Sequence, residues 1–541
     1  MPTLSPVDLG IVVVYILAMT MFGVWFTNKQ KDLKTYFVGE RNVGWFLVLV
    51  SIVATETSAV TFLSVPGLAY KTDGNLTYLQ LAFGYIVGRC IVAWVLLPMY
   101  MRGDLFSAYE VLKQKFGPNV QRVASALFLI TRTVADGLRL YLTALLMQYI
   151  GIGIELAIIL TGLVTMLYTY LGGMKAVLWT DLIQFVIKIA GAVLAAVFIL
   201  KLLPGGWQQL VDVGTAQKKF TLFDFAHSYE ASHPFNFWAG LIGGAVFSMA
   251  SHGADQIMVQ RYLCARNLGH ARTALVLSGF TVTVQFLLFL MVGIGLFVLV
   301  QSGHFVLPER PHGGTWKPDE IFGLFIVNQL PVGVCGILVA AVLAAAMSTL
   351  SSSLNSSSNA LVTDFYRPLR PTQTEQHYVR VSRILTAVWG VAQVGVALIA
   401  YRTSGEDRSV VEQVLKIAGM TTGLLLGLFL LGQAKRPVSS RAAIGGLLAG
   451  FFVVVAVWLP EGLGLLATSV DGVKQLKLLG VDVAPELLKP IIAWPWFALI
   501  GSSVTVLVAL LLSRLTDGRP ATPANRSPQS ELGPAGRTPV D

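Results

Sequence analysis

Cysteine is nearly absent from this chain. Three stand in 541 residues, and Cys90, Cys264 and Cys335 show no pairing pattern, so a disulfide framework is excluded. Charge is scarce as well: Asp, Glu, Lys and Arg make up 13% of the residues, against 55% hydrophobic ones. Histidine is rare, at seven, and only His252 falls within an apolar segment. A membrane enzyme would need a convergent nucleophile and base or a metal cluster. No His/Glu metal motif is present, so an enzyme is not expected. These scarcities leave long apolar runs. Mean hydropathy is +0.68, and about thirteen segments reach the roughly 20 residues that a helix needs to cross a bilayer. The sequence predicts an all-α polytopic membrane protein.

The basic residues set the orientation. KQKDLK, QRYLCARNLGHAR, YRPLR and AKRPVSSR fall on one side if the N-terminus is outside, and the positive-inside rule makes that side cytoplasmic. Thirteen crossings then put the C-terminus inside, across a bacterial inner membrane. The net charge of +10 follows from this bias, and no nucleic-acid partner is expected. The tail 515–541, rich in Pro, Ser, Thr and Gly, reads as disordered.

Two apolar segments break the rules of a continuous membrane helix. One, 45–70, contains ATETSAVTFLSVPG (Ala54–Gly67). The other, 236–258, contains FSMASHGADQ (Phe247–Gln256). Backbone freed from helical bonding is tolerated in a membrane only where it lines a protein-buried or watery site. Each segment opens a set of five spans, 45–203 and 236–434, with an outer loop at 204–235 between the sets. Five is odd, so the second set is inverted relative to the first. Interrupted helices at matching places of inverted halves point to a transporter's central site. A first helix with its loop (1–44) precedes the sets, and two further helices (435–514) follow.

A third segment carries neutral oxygen. In AAAMSTLSSSLNSSSNALVTDFY (Ala344–Tyr366), Ser348, Ser351, Ser352 and Asn355 share a helix face, with Thr349 beside Ser348. Such hydroxyls suit a sodium ion if an opened helix, around Ala54 and Thr57, lends carbonyls. They equally suit close helix packing, with each hydroxyl bonded to a carbonyl of the preceding turn. Charges inside the spans are functional candidates by default. Asp181 reads either as a second cation ligand with Ser351 and Ser352 or as the partner of Lys188. Arg132 and Asp136 are spaced i, i+4 and can pair. Arg132, Ala135 and Arg139 share a face, and the remaining arginine fits either a carboxylate-bearing solute or a distant acid such as Glu56 or Asp255.

Four stretches in this order, SAVTFLSVPGLAY, GGMKAVLWTDLIQ, DQIMVQRYLCAR and MSTLSSSLNSSSNALVTDFY, resemble the sodium:solute symporter family. The resemblance implies a five-plus-five inverted-repeat core, alternating access, and Na+ as the coupling ion. It implies a first sodium site from the carbonyls of Ala54, Thr57 and Ala345 with the hydroxyls of Ser348 and Thr349. A second site falls on Asp181, Ser351 and Ser352. The pocket is similar in part to that of bacterial sialic acid carriers: Ser58, Thr61 and Gln80 stand at their solute-contacting positions. Their carboxylate-binding arginine aligns with Ala135 here, flanked a turn away by Arg132 and Arg139.

The expectation is therefore a sodium-coupled symporter, functional as a monomer among membrane lipids. It would import a small polar, carboxylate-bearing solute of the sialic acid or monocarboxylate type, held near Ser58, Thr61, Gln80, Arg132, Arg139 and Ser248. The alternatives are a sodium/sugar or sodium/amino acid symporter of the same family and, from other classes, a cation channel or a solute sensor.

Overall fold

The computed structural model describes residues 4–25, 32–148, 152–310, 315–403, 410–434, 437–470, 473–476, 481–482 and 490–516. The tail 515–541 lies outside these beyond Thr516. Among the described residues, seven helices are long and apolar enough to cross a membrane, or eight if the bent pair is one span.

In chain order, α1 (Pro6–Trp25) and the short α2 (Leu33–Val38) lead to the first broken span. Its halves are α3 (Trp45–Glu56) and α4 (Ala59–Tyr70), bent from one another by 65°. Next come α5 (Leu79–Val95), the short α6 (Leu97–Tyr100) and α7 (Glu110–Phe116), and the long α8 (Pro118–Gln148). Then α9 runs over Ile154–Leu202 as two helices joined at Gly173, whose φ of 57° and ψ of −161° are non-helical. Only glycine adopts such a backbone cheaply, which is why the GGMK stretch makes the joint. The loop 204–235 includes α10 (Gly206–Ala216).

The second half opens with a π-turn over Ala239–Gly243 that runs into α11 (Gly244–Gly253). The chain breaks at Ala254 and Asp255 and resumes as α12 (Gln256–Cys264). The Asp255 carboxylate accepts from Ile257 N at 2.8 Å, so this acid caps the new helix. Then follow α13 (Leu268–Gln301), α14 (Pro318–Gln329), the serine-rich α15 (Val334–Leu361), α16 (Arg367–Leu369), α17 (Glu375–Thr403), α18 (Val410–Leu431), α19 (Ser440–Leu466) and α20 (Phe497–Thr516). Three short antiparallel strands, in the order β1 (Ala467–Val470), β2 (Val473–Leu476), β3 (Val481–Asp482), form the only sheet among the described residues, after α19.

Both expected interruptions are present, and α15 lies between them in the core. From Leu338 to Ala360 every residue of α15 is buried, although the run holds serines, a threonine and asparagines. Exposed apolar side chains such as Leu163, Val186, Val284 and Val391 instead lie on the outer helices. The polar face therefore turns inward and the apolar faces turn to lipid, as a polytopic protein requires.

Candidate functional site

The hydroxyls of α15 tie it to the break between α3 and α4. Ser348 donates to the Ala54 carbonyl at 3.0 Å and to that of Ala345 at 3.2 Å. Thr349 donates to the Thr55 carbonyl at 3.0 Å. Those two carbonyls are among the groups left without helical donors where α3 ends. The Thr57 side chain turns away and donates to Gln285 on α13 at 3.0 Å. Further along α15, Ser352 and Ser356 bond to carbonyls one turn back, at 2.7 and 2.6 Å. The serine face thus bonds to the helix break at its start and to its own helix further on.

The oxygens read as the first sodium site do come together, but a cation of the protein lies among them. The ammonium of Lys188 on α9 donates to the Ala54 carbonyl at 2.6 Å, to the Thr57 carbonyl at 3.1 Å and to the Ser348 hydroxyl at 3.3 Å. Lys188 has no solvent exposure.

Asp181 is bound from another direction. Arg261 of α12 meets one of its carboxylate oxygens at 3.0 Å. The Ser51 hydroxyl donates to that same oxygen at 2.5 Å. Arg261 also donates to the hydroxyls of Thr55 and Ser352, while its Nε reaches Ser51 at 2.8 Å. The other carboxylate oxygen, Asp181 Oδ1, is buried and has no hydrogen-bond partner among the described residues. A buried carboxyl oxygen left open in this way suits a small cation. Ser351, by contrast, donates to the Ser348 carbonyl at 3.2 Å. Of the second-site residues, Asp181 and Ser352 therefore share one guanidinium, and Ser351 faces back along its own helix.

The solute residues divide into two groups. Ser58, Asp136, Arg139 and Thr349 line one cavity. Thr61 stands next to Ser58, with 3.3 Å between the hydroxyls. Asp136 holds both flanking arginines: Arg132 Nε at 2.9 Å and Arg139 Nη1 at 2.5 Å. Arg132 also approaches Asp255 at 3.7 Å, the distant acid considered above. Ala135, between the arginines, is buried.

Gln80 and Ser248 are engaged elsewhere. The Gln80 amide donates to the Phe235 carbonyl at 2.7 Å and accepts from Asp224 N at 3.2 Å, so it anchors the loop 204–235. Ser248 donates to the Tyr85 carbonyl at 3.2 Å where α11 packs closely on α5. A Cβ on Gly88 would lie 2.9 Å from that of Ser248, so this contact depends on glycine.

Three functional pairings were not foreseen: Lys188 with the helix break, Arg261 with Asp181, and Arg89 with Glu56. In the last, the buried Arg89 holds both oxygens of Glu56, at 2.6 and 2.5 Å, and Ser278 at 2.7 Å. Glu56 therefore brings no uncompensated negative charge to the site.

This arrangement, two broken helices around a buried polar helix with paired intramembrane charges, defines a secondary transporter of the inverted-repeat kind. Residues 36–450 match the sodium:solute symporter family, and the chain belongs to that sodium-coupled family. It is 31% identical over 474 residues to the sodium/sialic acid symporter NanT of Aliivibrio fischeri, covering 87% of this chain and 91% of that protein. It is 28% identical to the sodium/sialic acid symporter SiaT of Proteus mirabilis, over 87% of this chain and 93% of the relative. A solved structure of a substrate-bound, outward-open Na+-coupled sialic acid symporter superposes with a TM-score of 0.81 at 25% identity, over 94% of this chain and 98% of that one.

Proposed function

We propose that this symporter imports a small polar solute bearing a carboxylate, of the sialic acid or monocarboxylate type, bound beside Ser58, Thr61 and Arg139. One observation carries the reading: Arg139 and Ser58 line a single cavity next to the helix break. The hydrogen bond that Arg139 makes to Asp136 uses one terminal nitrogen. Its remaining donors suit the planar fork that a carboxylate presents. Relatives with sialic acid in their names and sodium-coupled monocarboxylate transporter 2 of Danio rerio support this class.

The transport step we infer is alternating access. Sodium and solute bind from outside, the outer loop anchored by Gln80 seals the pocket, and both leave to the cytoplasm. In this reading the N-terminus is outside, the repeats span 45–203 and 236–434, and the monomer among its lipids is the transport unit.

Thermal unfolding of the purified protein tests it. The panel holds sialic acids, short monocarboxylates, amino acids, hexoses and inositols, each in sodium and in choline. A ligand of the native state raises stability by mass action. Stabilisation by a carboxylate solute in sodium alone supports the reading. Stabilisation by a hexose or inositol instead moves the chain to the sugar carriers.

A further inference from the structure

We propose that Lys188 is the resident cation of the first ion site, so that this site takes no sodium and the chain binds a single coupling ion, at Asp181. The inference rests on the sodium-coupled reading of the chain and specifies its ion count.

The oxygens around Lys188 are those of an ion site. Two are backbone carbonyls exposed by the break after α3, Ala54 and Thr57, and the third is the hydroxyl of Ser348. An ammonium has three donors and no acceptor, and here it has three acceptors. Among the described residues no acid forms an ion pair with this ammonium. The side chains of α15 along this stretch are neutral hydroxyls and amides. Glu56 on α3 is held by Arg89, and the His252 ring lies 3.7 Å from it. Asp181, two turns back along α9, is held by Arg261. Tyr168 donates to the Met347 carbonyl at 3.0 Å, and Tyr15 lies against the sulfur of Met347. The lysine therefore makes no ion pair with Asp181, which acts on it only through its field, and its ammonium lies in a cradle of neutral oxygens that fits a monovalent cation.

A sodium ion bonded to the same oxygens would sit within hydrogen-bond length of Nζ. Two like charges so close, inside a low-dielectric core, repel strongly, so the site holds one cation at a time. The lysine also does what an ion there would do. It ties α9 to the break and to Ser348 of α15, but as a covalent tether it cannot leave with the solute. The second site differs. Arg261 is present there too, but it meets only Oδ2 and is balanced by the acid, so the buried Oδ1, without a hydrogen-bond partner among the described residues, is the oxygen left to a mobile ion.

The experiment is equilibrium binding of radioactive sodium to the purified full-length protein, with thermal unfolding to verify the fold of each variant. The proposal expects one sodium per wild-type protein and a Hill coefficient of one. Lys188→Met should bind two and raise the coefficient toward two, while Lys188→Arg, which keeps a cation, stays at one. Asp181→Asn should lose the wild-type ion, and the double variant Asp181→Asn with Lys188→Met should bind one. Two ions on the wild type overturn the proposal without any variant. So does a folded Lys188→Met that still binds one, or an Asp181→Asn that keeps its ion. A wild type that binds none while Lys188→Met binds one would sink the sodium-coupled reading and keep the lysine. If neither binds sodium, both fall.

Discussion

Arg261 and Asp181 meet at 3.0 Å, with both side chains all but excluded from solvent, although one lies on α12 and the other on α9. The pair joins the second broken span to the helix after the GGMK joint, and Ser51 and Thr55 of α3 complete it. One guanidinium thus connects elements of both halves of the protein. Removing one partner of a buried ion pair leaves an uncompensated charge, which costs about 3 to 5 kcal/mol. Arg261→Met is expected to lower stability by that order, as a fall in the thermal unfolding temperature. Asp181→Asn, which leaves a hydrogen-bonding partner for the arginine, should cost less. Equal losses would mean that the arginine acts through packing alone.

Arg89 and Glu56 form a second such pair. The arginine is fully buried and the glutamate 16% exposed. Arg89→Met leaves the carboxylate at the break without its partner and should destabilise by roughly 3 kcal/mol. The double variant Arg89→Met with Glu56→Gln should recover a large part of that loss, because both charges are then gone. A double-mutant cycle with coupling below about 0.5 kcal/mol would show the two sites to be independent.

These pairings are written in the packing of distant elements and not in local sequence. The broken helices were legible because Pro66, Gly67, Gly253 and the acids and hydroxyls around them do not suit continuous membrane helices. The inward face of α15 was legible from the spacing of Ser348, Ser351, Ser352 and Asn355. Which charge meets which was not. Lys188 stands two turns after Asp181 on the same helix, so sequence spacing favours that pair. The long side chain instead reaches across to a break made by α3 and α4, and Arg261, from a motif distant in sequence, takes the carboxylate. The resemblance places Gln80 among the solute ligands, but its partners, Asp224 and Phe235, come from the loop 204–235, whose course over α5 no local pattern encodes.

The loop 204–235 carries its own pH dependence. Asp224 accepts from His227 at 2.9 Å, and His233 stacks on His227 with ring centroids 4.8 Å apart. The hydrogen bond and charge of Asp224 raise the His227 pKa. Burial works to raise Asp224, but the bonds from His227 and the charges of both histidines outweigh it and hold the acid low. The histidine's contribution is full below its unfolded value of about 6.5 and is lost as pH rises through the raised folded value. That of the acid is full above about 3.9 and is lost on further acidification. Because Asp224 N also bonds Gln80, amide exchange over Asp224–Asn236, corrected for its intrinsic pH dependence, should be slowest between these limits and quicken above neutrality. Asp224→Asn should flatten that profile, and an unchanged profile would place the control elsewhere.

A single coupling ion has an electrical consequence. One sodium falling through about 100 mV yields roughly 2.3 kcal/mol, and a tenfold gradient adds about 1.4. A singly charged anionic solute moving with it returns roughly the same 2.3. The electrical terms cancel, and about 1.4 kcal/mol is left, enough for roughly tenfold accumulation. Wild-type uptake of a monocarboxylate into proteoliposomes should therefore not change when an inside-negative potential is imposed. Lys188→Met, with a second sodium, would carry net positive charge inward, so the same potential should speed its uptake and raise its final accumulation. Wild-type uptake of the monocarboxylate that the potential stimulates would require a second ion, which sodium binding would show directly as two ions per protein.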